Sequence, residues 1–378
     1  MNGLKKMKRR EFLANARVTL IASAVLLGAL TTPISAKAKN CANLRGTLVF
    51  HITGPGGTGD FKGATGTLPI QALADFSTGE GSGCYHRRTC TETQVSATTV
   101  ESNFTTIDFP DATSTVALDI NPAGDTVGRY VIAIDGNTHG FLRSKHGEFT
   151  TVDFPGAIFT VAAGINARGD IVGMYRLPAE GPRVRHGFLL SEGQFTTIDP
   201  PGAAFTNALG INSSGHIVGR FCTTVAVPCD RGNAHGFLLA GGEFTNIDFP
   251  GAIRTNAWKI NPQGEIVGAF SGSDGENHVF VLTQGGFTTI DLPPATAIPL
   301  DNGGISPQGG IAGTYCDAAP CISTSTDFHG FLLSRGEFTS VDVPRAVSTA
   351  AFAINLRGDI VGFYDDTSGK RHGFLLSQ

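Results

Sequence analysis

One segment, close to HGFLLSxGEFTTIDFPGA…AxGINxxGDIVGxY, returns six times along the chain, and this constrains the fold more than any other feature. The copies are anchored by Phe104–Asp108, Phe149–Asp153, Phe195–Asp199, Phe244–Asp248, Phe287–Asp291 and Phe338–Asp342. Successive Asp positions lie 45, 46, 49, 43 and 51 residues apart, a period that belongs to propellers, solenoids or arrays. Each unit is too small to bury its own apolar face, so neighbouring units must stack to make a core.

The second copy resolves into four short strands. Strand a is Phe159–Ile165, followed by an Asn166-Ala167-Arg168-Gly169 turn. Strand b is Asp170–Tyr175. A variable polar loop leads to strand c, His186–Ser191, and Glu192-Gly193 forms a two-residue hairpin loop into strand d, Gln194–Asp199. Pro200, Pro201 and Gly202 stop the sheet, because proline cannot donate to a ladder. No segment outside the N-terminus shows a 3.6-residue apolar period, which excludes helical solenoids. The predicted fold is all-β: a β-propeller with six four-stranded blades.

Register sharpens the expectation. From the His of HGF to the Asp of TID the separation is 13 residues for His186/Asp199, His235/Asp248, His278/Asp291 and His329/Asp342. A two-residue loop between them sets each His opposite its Asp, within hydrogen-bonding range across strands c and d. His139/Asp153 are 14 apart, with a three-residue loop Lys145-His146-Gly147. The chain ends on a c strand, His372–Ser377, and its first clear copy begins with an unpaired d strand, Asn103–Phe109. Closure of the ring then sets Asp108 opposite His372 and removes exposed sheet edges. An alternative aligns residues 72–108 as a worn copy, giving a seventh blade closed by a strand near Leu48–Ile52. Gly81-Ser82 there replaces the Ile-Val of the strand centre.

Residues 1–36 resemble an export signal. Lys5, Lys6, Lys8, Arg9, Arg10 and Arg17 precede an apolar run, Val18–Leu30, and Ile34-Ser35-Ala36 offers a small-residue cleavage site. Arg9-Arg10-Glu11-Phe12-Leu13 resembles a twin-arginine signal; an ordinary secretory signal with a chance Arg pair is the alternative. The run is too short to span a bilayer, so no membrane span is expected in the mature chain. The expected location is periplasmic or extracellular. The domain reading is a signal at 1–36, a Gly-rich β appendage or degenerate blade at 37–102, and the propeller at 103–378.

Removing residues 1–36 leaves 22 Lys/Arg against 31 Asp/Glu, a net charge of about −9. An acidic chain without a basic stripe is a poor partner for nucleic acid. Of seven cysteines, six fall into close pairs, Cys84/Cys90, Cys222/Cys229 and Cys316/Cys321, read as local disulfides; Cys41 is left over. None has CxxC spacing, and no metal or cofactor is expected.

At the repeated HGF…FTTID…GIN..GDIVG residues the chain resembles the bacterial extracellular HAF-repeat proteins, over about residues 102–378. His278-Val279-Phe280 departs from the triplet in one copy. The resemblance implies an exported propeller-type repeat protein and carries no activity.

Residues present in every copy are read as scaffold, the His–Asp pairs included. The Arg168-Gly169-Asp170 and Arg357-Gly358-Asp359 tripeptides sit in a–b turns and are explained by turn chemistry. Departures from the repeat are the candidates. Trp258, the only Trp, with Lys259 and Asp119 could form an aromatic and charged ligand patch near the axis; a space-filling core Trp is the alternative. The b–c loops vary freely, and Arg176, Arg183, Arg185 and Arg231 could form a local basic rim. No GxSxG, HExxH, P-loop or dinucleotide motif occurs. The expected role is a monomeric, non-enzymatic binding module for a polysaccharide or protein, acting through its loops or channel mouth. The alternative is an exported lyase or hydrolase with its site at the channel.

Overall fold

The computed structural model describes residues 42–51, 65–74, 103–226, 229, 234–290, 292, 303–316 and 328–378. The chain divides into two compact units, Met1–Glu101 and Ser102–Gln378. In the first, Ala42–His51 pairs antiparallel with Thr65–Ala74 in an unbroken register from Ala42↔Ala74 to His51↔Thr65. Leu48 is thereby paired with Leu68.

The second unit is a β-propeller of four-stranded antiparallel sheets. Blade 1 runs Ala112–Ile120, Thr126–Ile132, Thr138–Arg143 and Phe149–Val152. Blade 2 is Phe159–Ile165, Ile171–Arg176, His186–Ser191 and Gln194–Ile198. Blade 3 is Phe205–Ile211, Ile217–Cys222, His235–Ala240 and Glu243–Ile247. Blade 4 is Arg254–Ile260, Ile266–Ser271, Asn277–Thr283 and Gly286–Ile290. Blade 5 is Gly303–Ile305, Ile311–Cys316, Phe328–Ser334 and Glu337–Val341. Blade 6 takes Ser348–Ile354, Ile360–Asp365 and Arg371–Leu376 from the C-terminus, and Phe104–Ile107 pairs on its outer edge from Gly373↔Ile107 to Leu376↔Phe104.

The core lies between successive blades. Val127 of blade 1 packs with Ala162, Ile165, Ile171, Tyr175 and Phe188 of blade 2, and Val218 of blade 3 packs with Ala257, Ile260, Ile266, Phe270 and Phe280 of blade 4. The repeated Phe of strand c, from Phe141 to Phe374, is at most 1% exposed in every blade. It needs the glycine of strand b: a Cβ on Gly128 would run into the Phe141 ring and the Val116 carbonyl. This is why G-x-[YF] travels with HGF in the sequence.

Strand a carries a β-bulge in the same place in several blades, between Ala117 and Asp119, Ala162 and Gly164, Ala208 and Gly210, Ala257 and Lys259, and Ala351 and Ala353. A bulge re-aims the following side chain. This determines what reaches the axis.

Cys222 and Cys229 form a disulfide with Cα atoms 5.9 Å apart, closing the b–c loop of blade 3. Cys316 is also disulfide-bonded, and Cys321 lies outside the described residues. Cys41, Cys84 and Cys90 likewise lie outside them.

Candidate functional site

Three places on the propeller gather polar chemistry: the axis, the a–b turn face and the b–c loop face. At the axis the bulges turn Asp119 of blade 1 and Lys259 of blade 4 toward each other. Lys259 Nζ lies 2.9 Å from Asp119 Oδ2 and donates to the Ala163 carbonyl of blade 2 at 2.6 Å and the Leu209 carbonyl of blade 3 at 2.8 Å. The carboxylate accepts the Ile120 N–H at 2.9 Å and the Ile165 N–H at 3.1 Å. One ammonium thus ties four blades together. Burial pushes the Lys259 ammonium below its ordinary value, opposed by the charge and hydrogen bond of Asp119.

Trp258 does not join that pair. It is 2% exposed and packs among Val267, Ala269, Val279, Ile305, Ile311 and Phe331 in the core between blades 4 and 5. The expected ligand patch of Trp258, Lys259 and Asp119 is corrected accordingly: the bulged residue enters the core while its neighbour faces the axis, so Trp258 has no ring face to offer a ligand. Blade 5 makes room with Gly303, where a Cβ would meet the indole.

Around the axis, the a–b turns frame a cavity of about 90 Å³ lined in part by Asp119, Lys259, Asn166, Asn212 and Asn261. Each turn Asn serves its own blade and the next. Asn166 Oδ1 accepts the Arg168 and Asp170 N–H groups, while Nδ2 donates to Asp170 and to the Asn212 carbonyl. The same reach runs from Asn121 to the Asn166 carbonyl, from Asn212 to Asn261, from Asn261 to Ser306 and from Asn355 to Asn121. The two Arg-Gly-Asp turns close on themselves, with Arg168 and Arg357 bonded to Asp170 and Asp359. Both carboxylates are buried.

On the b–c face the repeated His is held by its Asp partner. Nδ1 meets Asp153 at 2.7 Å in His139, Asp199 at 2.7 Å in His186, Asp248 at 3.0 Å in His235 and Asp342 at 3.0 Å in His329. His372 Nδ1 lies 2.8 Å from Asp108. Asp291, the expected partner of His278, lies outside the described residues.

Sequence reasoning missed a second carboxylate on the other ring nitrogen. Nε2 lies 3.0 Å from Asp135 in His139, 2.9 Å from Glu180 in His186, 3.1 Å from Asp274 in His278 and 3.4 Å from Asp366 in His372. These acids belong to the b–c loops, four or six residues before the His, and that spacing was the available signal. In His139 and His186 a carboxylate on each ring nitrogen favours the form in which both nitrogens carry protons. Burial works against the charged form of His139 and His186, but the bonds and charges of Asp153 and Asp135, and of Asp199 and Glu180, raise both above the ordinary value.

Of the basic rim, Arg183 donates to the Val225 and Ala226 carbonyls and Arg185 to those of Pro182 and Val184. Arg231 lies outside the described residues. Among the described residues, no group of three or more His, Cys, Asp or Glu is placed to hold a metal, and no helix is long and apolar enough to cross a membrane.

No protein-family model matches this chain, and no curated protein matches it. Solved structures that resemble it are propeller-like and distant. A streptogramin B lyase is 11% identical with a TM-score of 0.41, the match covering 72% of this chain and 96% of the lyase. AofleA from Arthrobotrys oligospora is 16% identical at a TM-score of 0.44, covering 72% and 85%. TolB from Acinetobacter baumannii is 15% identical at 0.45, covering 71% and 65%.

Proposed function

We propose that this protein is an exported, non-enzymatic binding module of the HAF-repeat type, a six-bladed propeller that holds its partner on the b–c loop face. The observation that carries this reading is the state of the axis. Asp119 and Lys259, the charged groups a channel-centred lyase or hydrolase would have available, are spent on each other and on four main-chain groups. A general acid or base must reach a substrate proton, and all three N–H donors of Lys259 are already engaged, one of them by Asp119. The repeated His–Asp pairs support the blades, which leaves the loops that differ between blades as the variable surface.

Six blades and a shut ring are part of the same reading. Phe104–Ile107 completes the sheet of Arg371–Leu376, and the Asn355 side chain donates to the Asn121 carbonyl just as Asn166 donates to Asn212. The N-terminal basic-apolar segment supports export.

The test is an unbiased glycan and peptide array probed with residues 37–378, followed by two variants. Lys259→Met with Asp119→Asn should leave binding intact, whereas replacing the 176–185 loop with the short 271–277 loop of blade 4 should abolish it. Turnover of an array ligand that disappears in the axial variant would overturn the reading.

A further inference from the structure

Four arginines gather where the b–c ends of blades 2 and 3 meet. Arg176 ends the second strand of blade 2 opposite Phe159, and Arg185 lays its guanidinium 4.2 Å from the centre of the same ring. The Arg185 main chain bridges to Phe205 of blade 3, and its carbonyl accepts the Thr206 N–H at 2.9 Å. Arg220 lies 5.7 Å from the centre of the Phe205 ring, and Arg183 spans the boundary to the Val225 and Ala226 carbonyls.

Arginines recur at some of these places: blade 1 has Arg129 in the place of Arg220, and blade 6 has Arg371 in that of Arg185, 3.8 Å from the centre of the Phe363 ring. In blade 6, however, Asp365 stands in the place of Arg176 and already takes both nitrogens of the Arg371 fork. In blade 4, Ser271 stands in the place of Arg176, Asn277 in that of Arg185 and Ala269 in that of Arg220. Their charges also crowd one another: burial first, then the charge of Arg176, holds Arg185 below the ordinary guanidinium value, with Glu180 opposing. Glu180 is already committed to His186 Nε2 and the Leu177 N–H. Buried polar atoms of this corner without a hydrogen-bond partner include Arg176 Nε, Thr206 Oγ1 and Asn207 Oδ1, and Asn207 stands opposite Arg220. Buried unmet polar groups on two neighbouring blades are costly to the free protein and set the chemistry that a ligand at their boundary would supply.

We propose that this corner is a subsite for a sugar acid, in which the guanidinium forks take the carboxylate and a neighbouring hydroxyl donates to Asn207. A planar carboxylate matches the fork of arginine, and the Phe159 ring with the Pro182 and Val184 carbonyls holds the Arg185 guanidinium in place. The hydroxyl distinguishes a uronic acid from an acidic peptide side chain, which brings no donor beside its carboxylate. The net acidity of the whole chain disfavours a long polyanion such as nucleic acid. The inference rests on the reading of the b–c face as the binding face and names what it takes.

Isothermal titration separates the two ideas. The probes are a galacturonic acid tetramer, its fully methyl-esterified form, and a tetraglutamate peptide. The tetramer should bind, and the ester and the peptide should bind about tenfold more weakly or worse. Arg176→Ser and Arg185→Asn copy residues that blade 4 uses in the same places, so the fold should hold; each should weaken the tetramer by about tenfold or more. Arg185→Lys keeps the charge, loses the fork, and should recover only part of the affinity. No binding of the tetramer, equal binding of the peptide, or unchanged affinity in variants that melt like the parent would overturn the subsite. Silence across the whole array would instead remove the binding-module reading beneath it.

Discussion

His372 Nδ1 lies 2.8 Å from Asp108 Oδ2, joining residues separated by 264 positions. The contact sits at the seam where Phe104–Ile107 lies along Arg371–Leu376, and Phe104 packs edge-on against Phe374 with ring centroids 5.4 Å apart. The two ends of the propeller chain therefore belong to one sheet.

A chain beginning at residue 109 lacks that strand and leaves the outer edge of blade 6 unpaired. Bare edges template association. Such a chain should melt at a lower temperature than one beginning at residue 102, and it should elute as aggregates in size-exclusion chromatography. Equal melting temperatures would show that the seam contributes nothing.

The imidazoles of His139 and His186 give stability a pH dependence. Their folded pKa values are raised, so the contribution is complete below the unfolded value of about 6.5 and is lost as pH climbs through the folded value. Glu180 moves the other way. Burial pushes it up, but the Leu177 N–H, His186 and nearby charges hold it below the ordinary value, so its contribution is present above about pH 4.3 and lost on acidification. Thermal melts should be flattest between these limits and fall on the alkaline side. His186→Gln should remove part of the alkaline fall, and imidazole signals followed by NMR should titrate late.

Removing one partner of the axial pair strands the other. Lys259→Met should cost about 3–5 kcal/mol, because Asp119 is left in a buried site without its partner. Lys259→Met combined with Asp119→Asn should cost less than the single change, since no unpaired charge remains. Urea denaturation of both variants decides it, and a double variant worse than the single one would contradict the account.

Phe188 is fully buried and contacts Phe154 and Phe195 at centroid distances of 6.4 and 5.3 Å. Phe188→Ala should cost about 3–5 kcal/mol through lost burial and the cavity left behind. Compensating Gly173→Ala should not rescue it, because a Cβ there would also meet the Val161 carbonyl.

The strands of the blade and the pairing of its outer hairpin were legible in the sequence. Alternation with period two, a two-residue hairpin loop and a fixed spacing between HGF and TID are local quantities, and they place Asp199 on His186 without knowledge of any other blade. The same locality explains what was hidden. Asp135 and Glu180 sit in loops of different length, so no shared register pointed to their histidines. Trp258 and Lys259 are adjacent in sequence and face opposite surroundings, because one bulge separates them.

Local pattern thus determined the strands, their turns and the pairs within each sheet, since hydrogen-bond register and side-chain alternation depend only on near neighbours. The curvature of the whole assembly decided which distant residues meet. Lys259 reaches Asp119, Ala163 and Leu209 only because the sheets bend around a common axis, and the arginines of blades 2 and 3 share a corner for the same reason. Neither meeting follows from spacing, because it depends on how the blades pack side by side.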